Sequence, residues 1–166
     1  MVIGGQAVLY YGEPRLTKDI DITLGITVEE IAQVLKIIKS LKLRTITKQP
    51  LVFARRTMIL PVQDKITGIR IDFIFSFSTY ERQAIKNANT MKIGGVAVKI
   101  ASLEDVIVHK IIAGRARDID DVMALLFKNP KFNKRYIVRW LKEFDRSING
   151  RYTAQFFKIQ KEISLK

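Results

Sequence analysis

The sequence predicts a fold of the α/β class, more narrowly α+β, in which helices pack on a small mixed β-sheet and a C-terminal helical segment follows. Residues 17–24 alternate between polar and apolar side chains, which is the period of a strand with one buried face. Further β-rich runs are interleaved with helical patterns in the first hundred residues, and only helical patterns follow. At 166 residues without cysteine, the chain is long enough to bury a core without disulfides.

The first half of the chain is predicted to alternate between strands and helices. Val2 and Ile3 form the stub of a strand that breaks at Gly4-Gly5 and enters a short helix, which ends at Gly12-Glu13-Pro14. Residues 28–42 are predicted to form an amphipathic helix, because Thr27 and Glu30 make a capping box before apolar residues at helical spacing. β-rich runs are predicted at 44–48, 51–63 and 69–77, with the last two joined as an antiparallel hairpin.

The second half is predicted to contain one more strand and then helices. A polar helix is expected near 79–88, and Gly94-Gly95 turns the chain into a strand at 96–100. Four helices are then predicted. The first is capped by Ser102 and ends at Gly114, and the second runs from about Asp118 to before Pro130. The other two follow Asn133 and Gly150. We expect a mixed strand-and-helix core at residues 1–126 and a basic helical extension at 127–166 packed on it.

The charge is strongly positive, because 29 Lys and Arg against 16 Asp and Glu give a net charge of +13. Residues 129–166 alone hold ten basic residues against Glu143, Asp145 and Glu162. Such a field attracts polyanions such as nucleic acids, and a solvated surface of the thermophilic type accounts for it about equally well. The absence of a signal-peptide pattern and of an apolar run of about 20 residues leads us to expect a cytoplasmic protein without a membrane span.

The candidate chemistry starts with two carboxylates, Asp19 and Asp21, on the polar face of the predicted strand 17–24. One intervening residue makes their side chains project together, so that they could share one or two divalent cations. Taken alone, such a pair is more often solvated on an exposed strand. A single histidine and no cysteine leave zinc sites and cysteine nucleophiles without support.

A third carboxylate, Asp72, lies in the apolar run Ile69–Phe75. A charged group in a central strand needs a partner, because an unpaired buried charge is very costly. Pairing with the neighbourhood of Arg70 or with another basic group is one explanation. A metal ion shared with Asp19 and Asp21 is the other, and it accounts for all three carboxylates together.

Gly4-Gly5 supplies the fourth element, at the predicted junction of strand and helix. Glycines let backbone N–H groups approach a phosphate closely, and the start of a helix adds favourable partial charge. A Gly-Gly turn is common by itself, and its value here comes from lying one short helix before the paired aspartates.

The order of these motifs resembles the polymerase-β-like nucleotidyltransferase superfamily. The likeness lies in the order of the motifs: Gly4-Gly5, thirteen further residues, Asp19-Ile20-Asp21-Ile22 and the later Asp72. A narrower resemblance is to small bacterial and archaeal nucleotidyltransferases related to the toxins of type IV toxin-antitoxin systems. The segments that carry it are Gly12–Asp21, Ser102–Asp105, Lys110, Ala113-Gly114-Arg115 and Asp118–Asp121. The resemblance covers roughly residues 2–126.

The resemblance implies roles for particular residues. Asp19, Asp21 and Asp72 would be the catalytic and metal-binding carboxylates, and Asp72 would also assist deprotonation of the acceptor hydroxyl. The residues implied to neighbour the nucleotide are Gly4, Gly5, Arg15, Thr17, Lys110 and Arg115, with Asp118 in support. For Arg115 and Asp118, a salt bridge and cap at a helix junction is an equally good explanation.

The implied activity is transfer of a nucleoside monophosphate from an NTP to an acceptor hydroxyl, with Mg²⁺ or Mn²⁺ as cofactor. The implied acceptor is the end of a tRNA or another RNA, or a protein hydroxyl, and the implied partner is an antitoxin if the chain is a toxin. Many catalytic members have Gly-Ser where this chain has Gly4-Gly5, and relatives often begin with an additional helix. A catalytically silent protein that binds nucleic acid or a protein partner is therefore the alternative.

Overall fold

The α+β fold class is confirmed in the computed structural model, which describes residues 1–14 and 16–164. The described strands are β1 (Asp19–Thr23), β2 (Arg44–Thr45), β3 (Ile59–Gln63), β4 (Arg70–Ile74), β5 (Asn89–Ile93) and β6 (Val96–Ile100). The described helices are α1 (Gly4–Tyr10), α2 (Ile31–Ser40), α3 (Pro50–Thr57), α4 (Thr79–Asn87), α5 (Leu103–Ala113), α6 (Ala116–Lys128), α7 (Lys134–Ile148) and α8 (Tyr152–Ser164). None of them is long and apolar enough to cross a bilayer.

The chain groups into two compact units. The first, called the sheet unit, comprises residues 1–6 and 16–101, and the second, called the helical unit, comprises the described residues of 7–15 and 102–166. The expected division into 1–126 and 127–166 stays a prediction.

The sheet unit is built on four strands in the order β1-β4-β3-β2. β4 lies parallel to β1 and antiparallel to β3, so the predicted mixed sheet and the predicted hairpin of the last two β-rich runs are confirmed. β5 and β6 form a separate antiparallel pair, and Val2 makes isolated bridges to Ile22 and to Ile100. One face of the sheet covers a core to which α2 contributes Ile31, Val34 and Ile38.

Two predictions about these elements were wrong. The run 51–63 is not one strand, because α3 occupies Pro50–Thr57 and ends where Met58 adopts a left-handed φ of 59°. Proline at the first helical position and the helix formers Ala54, Arg55 and Arg56 outweigh the apolar Leu-Val-Phe sequence. β5 was missed because its exposed side chains show no apolar alternation.

The helical unit agrees with the predicted start and stop signals. The Ser102 hydroxyl accepts the N–H of Asp105 at the start of α5, and Gly114 ends that helix with a φ of 63°. Asn133 caps α7 through the N–H of Tyr136. α5 contacts α6, α7 and α8, and residues buried within the unit include Ile107, Ile111, Leu125, Ile137, Leu141 and Phe156.

Candidate active site

The strand register brings the three predicted carboxylates to one face of the sheet. β1 and β4 are parallel neighbours in which Asp19 is opposite Arg70 and Asp21 is opposite Asp72. Because side chains alternate along a strand, Asp19 and Asp21 share a face, and their register partners Arg70 and Asp72 share the same face. Neighbouring strands lie about 4.8 Å apart, so carboxylates distant in sequence become neighbours in space.

Arg70 pairs with Asp72 through two hydrogen bonds. Its Nε and Nη2 donate to Oδ1 and Oδ2 of Asp72, each at 2.8 Å. These bonds raise the pKa of the Arg70 guanidinium against the opposing effect of desolvation, and the charges of Asp72, Asp19 and Asp21 raise it further. The side chain of Asp72 is 14% exposed and that of Arg70 52%. The sequence had offered this pairing as the alternative to a metal ion.

The donor set on this face fits a divalent cation by its chemistry. Mg²⁺ and Mn²⁺ prefer carboxylate oxygens, and the three aspartates already act together on one cationic group, the Arg70 guanidinium. In the side-chain positions described for residues 1–14 and 16–164, no three acidic or histidine side chains converge as a metal-binding group. In these positions Asp72 is engaged by Arg70.

Gly4 lies directly against this face. The N–H of Ile3 donates to the carbonyl of Asp21 at 3.0 Å, and α1 starts at Gly4 with a φ of 63°. A Cβ at Gly4 would lie 2.0 Å from Oδ2 of Asp21. Only glycine satisfies both the left-handed backbone and this close approach. Gly5, the next residue of α1, is buried.

We expect Gly4→Ala to weaken metal binding at this face. The methyl group would displace the Asp21 carboxylate, and the left-handed φ adds strain of about 1 kcal/mol. The variant should bind Mn²⁺ at least about tenfold more weakly in calorimetric titration, which corresponds to about 1.4 kcal/mol. Gly12→Ala, which shares a positive φ but has open space around the added Cβ, is the matched control. Unchanged metal affinity in Gly4→Ala would contradict this role for Gly4.

Thr17 is tied to the first helix, because Nε2 of Gln6 donates to its hydroxyl at 2.7 Å. This bond holds the segment before β1 beside the start of α1. Contact of Thr17 with a nucleotide stays a prediction. Arg15, predicted to neighbour the nucleotide, lies outside the described residues.

Lys110, Arg115 and Asp118 form a second cluster, within the helical unit. Nζ of Lys110 lies 2.7 Å from Asp118 Oδ1 and 2.9 Å from Asp121 Oδ2, and all three side chains are at most 7% exposed. Arg115 precedes α6 and donates from Nε to Asp118 Oδ2 at 2.5 Å, with its own side chain 76% exposed. This geometry supports the salt-bridge explanation, and contact of Lys110 or Arg115 with a nucleotide stays a prediction.

The electrostatics of this cluster favour ionised Asp118. Desolvation by burial raises the pKa of Asp118, but hydrogen bonds from Arg115 and Lys110 and the charges of both cations outweigh it, so that the pKa lies below its ordinary value. In the predicted motif Asp118–Asp121, Asp121 has no role of its own. Its i, i+3 spacing from Asp118 is the signal that both carboxylates meet one lysine.

Comparison with known proteins agrees with the fold. Residues 1–134 match the family model described as a nucleotidyltransferase of unknown function (DUF6036). An antigenic nucleotidyltransferase-like protein from Paracoccidioides brasiliensis has a similar fold, with a TM-score of 0.54 and 18% identity over 89% of this chain and 79% of its own. A candidate nucleotidyltransferase from H. pylori is 15% identical, with a TM-score of 0.47 over 99% of this chain and 84% of its own. No curated protein matches the chain.

Proposed function

The chain belongs to this family of nucleotidyltransferases of unknown function, and we propose that it transfers a nucleoside monophosphate from an NTP to an acceptor hydroxyl, with an RNA end as the leading acceptor. The observation that carries the proposal is the register of β1 and β4, which places Asp19, Asp21 and Asp72 on one face beside Gly4. A purely structural strand pair has no need of three carboxylates on one face, because like charges repel.

The proposed reaction forms a bond between the acceptor oxygen and the α-phosphorus and breaks the bond from that phosphorus to the β-phosphate bridge. Pyrophosphate leaves with the electron pair, and the Asp72 carboxylate, once released from Arg70, would accept the acceptor's proton. Asp19, Asp21 and Asp72 would hold Mg²⁺ or Mn²⁺, and Gly4-Gly5 would let the triphosphate approach the backbone. When bound, the cation would offset triphosphate charge and stabilise the departing pyrophosphate.

Arg70 is proposed to compete with the metal ion for Asp72. Its guanidinium satisfies both oxygens of that carboxylate and lies in the field of all three acids. We expect Arg70→Gln to bind Mn²⁺ about three- to tenfold more tightly in calorimetric titration, because the competing positive charge is removed. Arg82→Gln, an exposed arginine on α4, should bind like the wild type. Weaker metal binding by Arg70→Gln would show that Arg70 supports the site instead.

The direct test incubates the purified protein with each α-labelled NTP, Mg²⁺ or Mn²⁺, and either pooled tRNA or a cell lysate. Label on RNA or on protein identifies the acceptor class, and the preferred NTP identifies the base. The proposal fails if no acceptor is labelled with any of the four nucleotides. An antitoxin is tested separately, by asking whether expression of the chain arrests growth and whether a neighbouring gene relieves it.

A catalytically silent member of the family is the second candidate. Two observations favour it: Asp72 is engaged by Arg70, and Gly4-Gly5 lacks the serine of many catalytic members. Salt-sensitive binding of RNA without any transfer of label would support this candidate over the enzyme.

A further inference from the structure

Four basic side chains form a narrow row along α7, which we call the α7 stripe: Arg135, Arg139, Lys142 and Arg146. Their spacing of 4, 3 and 4 residues places them within an arc of about 60° on a helix of 3.6 residues per turn. The row is about 16 Å long at 1.5 Å per residue. All four residues are exposed.

The opposite side of α7 explains why this row faces solvent. Ile137, Trp140 and Leu141 are buried in the helical unit, and the hydroxyl of Tyr136 donates to Asp105 at 2.8 Å. These contacts fix the rotation of α7 about its axis. The α7 stripe is therefore held outward by the packing of the helix, rather than by the preferences of four flexible side chains.

The two acidic residues within the described helix α7, Glu143 and Asp145, are weakly paired with the α7 stripe or already engaged elsewhere. Glu143 reaches Arg146 only at 3.7 Å, with both side chains more than half exposed, so their attraction is small. The carboxylate of Asp145 instead accepts the N–H groups of Tyr152 and Thr153, at 2.6 and 3.2 Å, at the start of α8. Arg139 lies over the ring of Trp140 at 5.3 Å, a contact that leaves its charge intact.

The arrangement costs the helix stability. Arg135 with Arg139 and Lys142 with Arg146 are like-charge pairs at i, i+4, and each pair destabilises a helix by roughly 0.2–0.5 kcal/mol. A surface selected only for solubility would intersperse acids among these cations. An external polyanion relieves the repulsion when it binds, which is a reason for such a row to exist.

We infer that the α7 stripe binds the phosphate backbone of an RNA. The inference rests on the proposed function, since it names a surface that binds the proposed class of acceptor, and it is measured by binding alone. On single-stranded nucleic acid, each neutralised phosphate contributes roughly −0.7 to the slope of log K against log salt concentration. Four contacts from the α7 stripe should therefore contribute a slope of about −3. Phosphate contacts carry no base specificity, so the row would accept many RNA sequences.

The test measures binding of fluorescein-labelled tRNA by anisotropy between 50 and 300 mM salt. The stripe variant replaces Arg135, Arg139, Lys142 and Arg146 with Gln. The control variant makes the same charge change at exposed positions of α3, α4 and β5, with Gln at Arg55, Arg56, Arg82 and Lys92. For the stripe variant, we expect the slope of log K against log salt concentration to become shallower by about three and the affinity at 100 mM salt to fall at least tenfold. The control variant should show much smaller changes in both quantities.

Equal losses in the two variants would overturn the inference, because the net charge and not the row would then drive binding. Wild-type protein that binds anionic phospholipid vesicles but not tRNA would overturn it as well. The Asp19→Ala, Asp21→Ala variant separates the two proposals. If that variant and the wild type bind tRNA equally through the α7 stripe while neither transfers a nucleotide, the proposed enzyme falls and the RNA surface stands.

Discussion

The double variant Asp19→Ala, Asp21→Ala is expected to lose nucleotide transfer by at least about a thousandfold, to the limit of detection. The two carboxylates share a face with Asp72, and removing both leaves one acid where a divalent ion needs several oxygen ligands. Loss of stabilisation for the leaving pyrophosphate amounts to several kcal/mol, and each 1.4 kcal/mol is a tenfold change in rate. The measurement is incorporation of label from an α-labelled NTP into tRNA or protein.

The matched control removes two acids elsewhere. Asp120 and Glu162 are both exposed, and their replacement by alanine changes the net charge by the same amount. This control should transfer label at the wild-type rate and melt at the wild-type temperature. Label that persists in the Asp19→Ala, Asp21→Ala protein would mean that the reaction takes place elsewhere.

The largest effect on stability is expected for Lys110→Met. The ammonium of Lys110 lies between Asp118 and Asp121, with all three side chains nearly excluded from solvent. Removing the cation leaves both buried carboxylates without the Lys110 charge, while the exposed Arg115 still bonds Asp118, and breaking such a buried pair costs about 3–5 kcal/mol. The midpoint of thermal unfolding should fall by roughly 10 °C, as followed by circular dichroism.

The pH dependence of this loss identifies its cause. The low pKa of Asp118 means that the stability its ionised form contributes is present above about pH 4 and is lost as the pH falls through the folded-state pKa. Once Asp118 is protonated, Lys110 no longer has that charge to balance. The difference between wild type and Lys110→Met should therefore shrink in acid. A difference independent of pH would indicate lost packing instead, and Lys158→Met on the exposed face of α8 controls for the added methionine.

The elements with local chemical signals were predicted well. Ser102, Gly114 and Asn133 mark helix ends at which the bonds or backbone angles are set by residues a few positions away. The run 51–63 failed because its apolar content suits both a strand and a helix, and the choice depends on which residues find a core. Ala54 is buried while Leu51 and Val52 remain exposed, which no local pattern in that run reveals.

The candidate site also has a part that could be predicted from local sequence and a part that depended on tertiary structure. Asp19 and Asp21 could be assigned to one side of a strand from their spacing, because alternation is a property of the extended backbone itself. That Asp72 lies on the same side depended on the parallel register of β1 and β4, which pairs residues 51 positions apart. The partner of Asp72 was left open between a basic group and a metal ion, and the structure places Arg70 on it.

The sequence by itself determined the kinds of groups available: three acids among strand-forming residues, a glycine pair ahead of them, and a cationic C-terminal segment. Tertiary structure decided which of these groups meet. Strand register set the shared face of the acids, the close approach of Gly4 to Asp21 made glycine obligatory, and burial of one side of α7 turned its cations outward. The physical reason is that backbone geometry repeats every few residues, whereas long-range pairing depends on how the whole chain buries its apolar surface.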